Sequence, residues 1–210
     1  MKKKFDKYYF DEEYKKSKGF LWGMQISKPF AEFEKLLKRK SKVLDLGCGE
    51  GRIAVYLAKK GHNVTAVDIS ETGIKRLNEF TKKEKLKVKT EVADLENYKI
   101  KKNYDCILSL ATIHFLSKKK IYSLVNEIKS KTKKEGFNFI TVFRKGDPSE
   151  GKFKMYFFEN GELTKMYSDW EIISYKEFRK EDRHGKKGKL HYHKNANLIA
   201  QKIKLKSGGF

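Results

Sequence analysis

Between Ser41 and Val142, short apolar runs alternate with amphipathic stretches. Val43-Leu44-Asp45-Leu46 reads as a short buried strand running into glycines. From Arg52 to Lys60, Ile53 and Leu57, and likewise Ala54 and Ala58, lie four apart on one helical face, and Gly61 stops that helix. Val64 to Val67 predicts a second strand ending at Asp68. Ser70 then caps a helix whose Ile74, Leu77 and Phe80 recur at intervals of three. Leu86 to Val92 predicts a third strand and Tyr104 to Leu110 a fourth. Ile121, Leu124, Val125 and Ile128 define a core-facing helix, with Gly136 as its end and Phe137 to Val142 as a fifth strand. Strand–helix alternation of this kind predicts a parallel, doubly wound α/β sheet.

The tail has a different rhythm. Gly161 to Tyr167 reads as one short helix, and Glu171 to Phe178 and Ala196 to Leu205 as strands. The polar loop Glu181 to Lys189 joins them with no helical pattern between, so the two strands must pair antiparallel. The expected fold is therefore α/β: a doubly wound, mostly parallel, Rossmann-like seven-stranded sheet with an antiparallel terminal strand. One domain is expected over residues 1–210, with a front of aromatics and a helix (1–40), a ligand-binding core (41–145) and a hairpin completing the sheet (146–210). Phe30, Phe33 and Leu37 share one face of the front helix.

Composition narrows the setting. Hydrophobic residues make up 39% and charged residues 36%, enough apolar side chain for a packed core. The two cysteines, Cys48 and Cys106, suit a reducing cytoplasm. No apolar run reaches the ~20 residues of a membrane span, and the basic start lacks the apolar stretch of a signal peptide, so neither membrane nor secretion is expected. The net charge is +22, yet only six of the 49 basic residues are Arg, and the Lys residues are scattered along the chain. Specific phosphate and base recognition favours Arg gathered on one face. Nucleic acid is therefore not the favoured partner, although non-specific attraction to polyanions follows from the charge.

The chemistry begins at Asp45-Leu46-Gly47-Cys48-Gly49-Glu50-Gly51, where a strand enters a glycine loop and a helix leaves it. The spacing is G-x-G-x-G. It matches neither the G-x-G-x-x-G of dinucleotide folds nor a P-loop, since no G-K-[ST] follows. Asp68 stands at the tip of the second strand, where a carboxylate can accept hydrogen bonds from both ribose hydroxyls. Asp94 follows the third strand, where an adenine amino group could be met. Taken singly, these are a tight turn, a helix cap and a turn residue. Together they converge on the crevice at the carboxyl ends of successive parallel strands, where open sheets bind ligands.

VLDLGCGEGR, VTAVDIS, VADL and YDCILSLATIHFL resemble the first four motifs of the class I S-adenosylmethionine-dependent methyltransferases. That resemblance implies S-adenosylmethionine as cofactor. It places Asp45, Gly47, Cys48 and Gly49 at the methionine portion, Asp68 and Ile69 at the ribose, Asp94 and Leu95 at the adenine, and Ser109, Leu110 and Ala111 under the site. Over nearly the whole chain, YYF, GFLWG, FFENGEL, YSDWEIISYKE and NLIAQK resemble the tellurite-resistance methyltransferases of the TehB type. This implies methyl transfer to a small-molecule acceptor, a tellurite- or selenite-type oxyanion or a thiol, by direct displacement. Several members of that family carry His-Arg and a nearby second Arg in the terminal hairpin. Here the stretch is Leu190-His191-Tyr192-His193-Lys194, with His191 as the match and Arg179 and Arg183 upstream.

Four residues are expected to face the acceptor or act on it: His114, Arg144, His191 and His193. His191 and His193 lie two apart on one face of an extended segment, and His184 is near. No compelling fourth ligand accompanies them, so no metal is expected. Trp22, with Tyr8, Tyr9 and Phe20, reads either as a hydrophobic clasp or as a lid that closes over the cofactor. Cys48 reads as a small loop residue and Cys106 as part of a buried strand. No Pro-Cys pair and no (N/D/S)-P-P-(Y/F) motif is present, which weakens methylation of nucleic-acid bases. Two other readings stay open at this point: an RNA or protein methyltransferase docking through its basic surface, and a non-catalytic cofactor-binding protein.

Overall fold

A computed structural model describes residues 8–182 and 190–203. Its strands are β1 (Lys42–Leu46), β2 (Asn63–Asp68), β3 (Val88–Val92), β4 (Tyr104–Leu110), β5 (Thr132–Phe143), β6 (Glu171–Asp182) and β7 (His191–Gln201). Its helices are α1 (Tyr9–Lys16), α2 (Lys28–Glu34), α3 (Arg52–Lys59), α4 (Glu71–Lys83), α5 (Lys118–Lys131) and α6 (Glu162–Met166). All seven strands join one sheet in the order β3-β2-β1-β4-β5-β7-β6. Strands β1 to β5 run parallel, and β7 pairs antiparallel with both β5 and β6. The reversed strand therefore lies one place in from the edge. Its first residues reach the carboxyl edge of β5, where Asn195 faces Phe143.

The central strands are covered on both faces, which is why they are continuous apolar runs. Val43, Leu44 and Leu46 of β1 and Cys106, Ile107 and Leu108 of β4 are fully buried. On one face, Phe30 and Phe33 of α2, Ile53 and Leu57 of α3 and Leu77 of α4 pack against Val43, Leu108 and Phe139. On the other, Ile121, Leu124 and Ile128 of α5 and Leu163 of α6 pack against Leu44, Ile107, Ile140 and Leu198. The Phe33 ring meets Phe139 edge-on at 5.1 Å, and Phe30 stacks on the same ring at 5.8 Å. Truncating either phenylalanine to Ala would cost about 3–5 kcal/mol, because the close-packed layer cannot collapse into the space.

Several boundaries differ from the sequence expectation. Helix α5 ends at Lys131, not at Gly136, because Thr132 turns extended and its Oγ1 bonds the Ile128 carbonyl at 2.8 Å. Gly136 instead lies inside β5, where a Cβ would come within 2.7 Å of the Asp105 carbonyl. Strand β7 begins at His191, five residues before Ala196, and β6 continues to Asp182. Strand β3 begins at Val88 rather than Leu86. The aromatic front contains a helix, α1, that its sequence pattern did not announce. Ser70 caps α4 as expected, accepting the Gly73 amide at 2.9 Å. Arg183, His184, Lys186 to Lys189 and the end of the strand expected at Leu205 lie outside the described residues. Among those described, no helix is long and apolar enough to cross a membrane.

Candidate functional site

Strand β1 delivers the chain to Gly47, whose amide, with that of Cys48, bonds the Val67 carbonyl at the end of β2. The loop then folds so closely against its neighbours that side chains are excluded. At Gly47 (φ 76°) a Cβ would lie 2.1 Å from the Thr112 side chain. At Gly49 (φ 56°) it would lie 2.6 Å from the Tyr14 hydroxyl. Both positions need the left-handed conformation that only glycine adopts without strain. Thr112 also donates to the Gly47 carbonyl at 3.2 Å, joining this loop to the one that follows β4.

Three carboxylates stand at successive strand ends. Asp45, in β1 itself, is buried, and its Oδ2 has no hydrogen-bond partner among the described residues. Burial, the nearby Asp68 charge and only partial relief from Arg52 push it up to about 7. Asp68 accepts from the Gly49 amide at 2.7 Å and the Ser70 amide at 2.8 Å, so one side chain ties the glycine loop to the start of α4. Burial raises its affinity for a proton, and those amide bonds offset part of the rise. Asp94 turns the chain after β3 by accepting the Glu96 amide at 2.9 Å, with Leu95 buried beside it and Ile69 half-buried after β2. Ser109 is buried and bonds the Leu46 carbonyl at 3.3 Å. Past half-buried Leu110, Ala111 holds φ 58°, a left-handed conformation that costs an L-residue energy and recurs at ligand sites. Burial, with Asp68 and Asp45 nearby, pushes the Cys48 thiol up and favours its protonated form.

The aromatic front closes over this loop through polar anchors that sequence reading missed. Asp11 of α1 accepts from Ser70 Oγ at 2.6 Å and the Thr72 amide at 2.9 Å. Its burial is outweighed by those bonds and by Lys15, which hold the carboxyl below the usual range. Glu50 of the glycine loop pairs with Arg76 of α4 at 2.6 Å and accepts the Leu21 amide at 2.6 Å. Arg76 in turn donates to Ser17 and to the Gly19 carbonyl. Tyr14 is buried against Gly49 and hydrogen-bonds the half-buried Trp22 side chain. Phe10 meets Phe115 at 5.4 Å and Phe20 meets Phe80 at 5.3 Å, whereas Tyr8 and Tyr9 are exposed.

Beyond the ends of β4 and β5 lies a second group. His114, in a single 3-10 turn (Ile113–Phe115), is fully buried with no hydrogen-bond partner on either ring nitrogen among the described residues. Burial, reinforced by His193, pushes it down to about 3, so it is a neutral ring. It stacks on Phe143 at 4.3 Å, and His193 stacks at 4.4 Å, also on Phe143. His193 Nδ1 lies 3.2 Å from Asp147, and its Nε2 lies 3.1 Å from His191 Nε2. Arg144, also expected at the acceptor, pairs with Glu177 at 2.9 Å and bonds Asn160 and the Asn195 carbonyl. The structure thus stacks His114 and His193 on Phe143, with His191 against His193, while Arg144 fastens the end of β5 to β6 and β7. Among the described residues, no three His, Cys, Asp or Glu side chains are placed to hold a metal ion.

A parallel sheet with a G-x-G-x-G loop after β1 and carboxylates at the ends of β1, β2 and β3 has the architecture of the class I S-adenosylmethionine-dependent methyltransferases. Within that class the chain belongs to the TehB family, whose model, described as tellurite resistance protein TehB, matches residues 6–199. A probable S-adenosyl-L-methionine-dependent methyltransferase TehB from Haemophilus influenzae is 36% identical over 167 residues, which are 77% of this chain and 57% of that protein. The chain thus spans a little over half the length of that curated relative. The crystal structure of TehB from Haemophilus influenzae superposes with a TM-score of 0.77 at 31% identity, covering 93% of this chain and 66% of that one. A ubiquinone biosynthesis O-methyltransferase from Rickettsia conorii is 36% identical over 103 residues, 47% of this chain and 36% of that protein.

Proposed function

We propose that this chain transfers the methyl group of S-adenosylmethionine to a small chalcogen acceptor, a tellurite- or selenite-type oxyanion or a thiol, by direct displacement. The observation that carries the cofactor part of the reading is the orphaned Asp45 oxygen beneath the glycine loop, and the acceptor class is proposed from the TehB family to which the chain belongs. A buried carboxylate without a partner is costly unless a cation completes it, and the methionine portion of the cofactor carries an ammonium and a sulfonium. The glycines let the loop pack directly on Thr112 and Tyr14, which fixes its backbone above Asp45. Asp68 would accept from the ribose, Asp94 and Leu95 would hold the adenine, and Ser109 to Ala111 would form the floor.

When bound, the sulfonium supplies an electrophilic methyl group. The chain's part is to position the acceptor in line and to exclude water, which supplies most of the acceleration in such a displacement. The anchors at Asp11 and Glu50 hold the aromatic front over the loop for that purpose. His191 and His193 lie at the acceptor end. A cytoplasmic setting suits the two free thiols.

A radiolabelled methyl-transfer screen should compare tellurite, selenite, small thiols, total RNA and a protein lysate. Label is expected in the small-molecule fraction. Label on RNA or protein alone would replace this reading with a macromolecular substrate, and cofactor binding with no label anywhere would replace it with a non-catalytic binder.

A further inference from the structure

Five buried side-chain atoms lack a hydrogen-bond partner among the described residues, and three of them belong to two side chains: both ring nitrogens of His114 and Oδ1 of Asn195. One ring, Phe143, adjoins both. His114 stacks on it at 4.3 Å, and Asn195 of β7 stands directly opposite it across the β5–β7 pair. Directly opposite residues share a face of the sheet, and His193, two residues before Asn195, reaches the same ring. His114 is fully buried, and Asn195 is only 4% exposed. The Asn195 backbone carbonyl is engaged separately, accepting from Arg144 at 3.1 Å. Each unmet polar atom costs stability, so a fold that keeps three of them beside one ring calls for a ligand that meets them.

We propose that His114 and Asn195 read the methyl acceptor by hydrogen bonding and select an uncharged thiol that carries a hydroxyl group. The proposal rests on the methyl-transfer reading above and narrows its acceptor. A neutral imidazole offers one N–H and one lone pair, and an amide oxygen only accepts. A hydroxyl suits both side chains, because it accepts from the ring N–H and donates to Asn195 Oδ1. An alkyl group in its place leaves both unmet, and a carboxylate has no proton to give to Asn195. Burial pushes His114 down to about 3, so the ring carries no charge that would attract an oxyanion. Arg144, Lys145 and Lys180, on the segments around it, pair with Glu177, Glu159 and Asp182, so their charge is answered within the protein.

The pair lies at the edge of the sheet that carries the glycine loop. Thr112, two residues before His114, donates to the Gly47 carbonyl at 3.2 Å. The segment after β5 returns over the His114 turn: the Tyr156 amide donates to the His114 carbonyl at 2.8 Å, and the Phe158 amide to the Phe143 carbonyl at 3.0 Å. Before these two pins, Glu150 to Lys152 are exposed. The His114 nitrogens are covered in this structure, so an acceptor reaches them by displacing part of that segment. Phe115 at 4.4 Å and Phe143 flank the ring, which leaves its nitrogens as the polar points in an apolar wall. In such surroundings one hydrogen bond discriminates more sharply than it would in water.

The test uses 2-mercaptoethanol, 1-propanethiol, which has a methyl group in place of the hydroxyl, and mercaptoacetate, which has a carboxylate. With S-adenosylhomocysteine standing in for the methyl donor, long-range ¹H–¹⁵N spectra follow the His114 ring nitrogens, identified by their loss in His114→Phe. These signals should shift with 2-mercaptoethanol and stay in place with the other two. No shift with any of them, or a shift with 1-propanethiol or mercaptoacetate as well, overturns the proposal. In turnover, the kcat/KM ratio of 2-mercaptoethanol to 1-propanethiol should be about tenfold higher in wild type than in His114→Phe or in Asn195→Leu. Comparing proteins cancels the different acidities of the two thiols, and an unchanged ratio in the folded variants overturns the proposal. Asn195→Leu also replaces an unmet buried amide by an apolar group of similar size, so without acceptor its Tm should rise by about 2 °C or more. A fall in Tm would show that water or protein already satisfies the amide, and would overturn the proposal. If neither thiol is methylated while the His114 signals still answer to 2-mercaptoethanol alone, the methyl-transfer reading fails and the hydrogen-bonding site stands.

Discussion

Asp45 makes a prediction that needs no substrate. Its carboxyl is pushed up to about 7 in the folded, ligand-free chain, against an ordinary value near 4 when unfolded. Below pH 4 both states hold the proton and the group contributes nothing. Between pH 4 and 7 the unfolded state loses the proton while the folded state keeps it. Stability therefore falls as pH rises through that window and levels off above it. About three pH units at 1.36 kcal/mol each set a ceiling of about 4 kcal/mol. Asp68 titrates beside it and takes up part of the effect, so about 2–3 kcal/mol is expected. Asp45→Asn removes the ionisation and keeps the shape. Urea unfolding of both proteins should give equal stabilities at pH 4 and a more stable variant at pH 7.5. The same variant should bind S-adenosylhomocysteine more weakly, since the ligand's ammonium loses its carboxylate. Stability curves that run parallel from pH 4 to 7.5 would refute the claim that this carboxyl is buried without a partner.

Gly49→Ala forces an L-residue to φ 56° and pushes against the Tyr14 hydroxyl, and should cost about 1–3 kcal/mol, read as a lowered Tm together with weaker cofactor binding. Glu50→Gln weakens the pair with Arg76 and the anchor at Leu21, so the segment around Lys15 to Lys18 should become about tenfold more sensitive to brief trypsin treatment; an unchanged cleavage rate would show that the front is held by its aromatic contacts alone. RNA binding should be weak and fall steeply with salt, because dispersed Lys releases counterions without reading bases; a sequence preference that survives physiological salt would contradict this.

The central strands were legible because burial on both faces leaves an unbroken apolar run, as in Val43 to Leu46 and Cys106 to Leu108. Asp45, Asp68 and Asp94 were legible because strand ends are easy to count. Strand β7 was read five residues short because His191 to Asn195 carry polar groups on both faces, and only the pairing with β5 and β6 makes them a strand. Helix α1 has eight residues and too few apolar ones to show a period, and its contact with α4 through Asp11 is what fixes it. Gly136 looked like a helix stop because a glycine after a helix usually is one, yet here it admits a close approach to Asp105. The partners of His193 and Glu50, Asp147 and Arg76, stand 46 and 26 residues away. No local pattern records such a distance. The two histidines could be singled out by their spacing, but the carboxylate that orients them could not.

The central proposal is that the glycine loop and the carboxylates Asp45, Asp68 and Asp94 hold S-adenosylmethionine. Calorimetric titration of the purified chain with S-adenosylhomocysteine and, separately, with NAD measures this in one experiment. One-to-one binding of S-adenosylhomocysteine with a Kd on the order of micromolar, or about −8 kcal/mol, is expected, with no heat from NAD and at least a tenfold loss in Asp68→Asn. Absence of S-adenosylhomocysteine binding, or equal affinity for NAD, would contradict the account at its base.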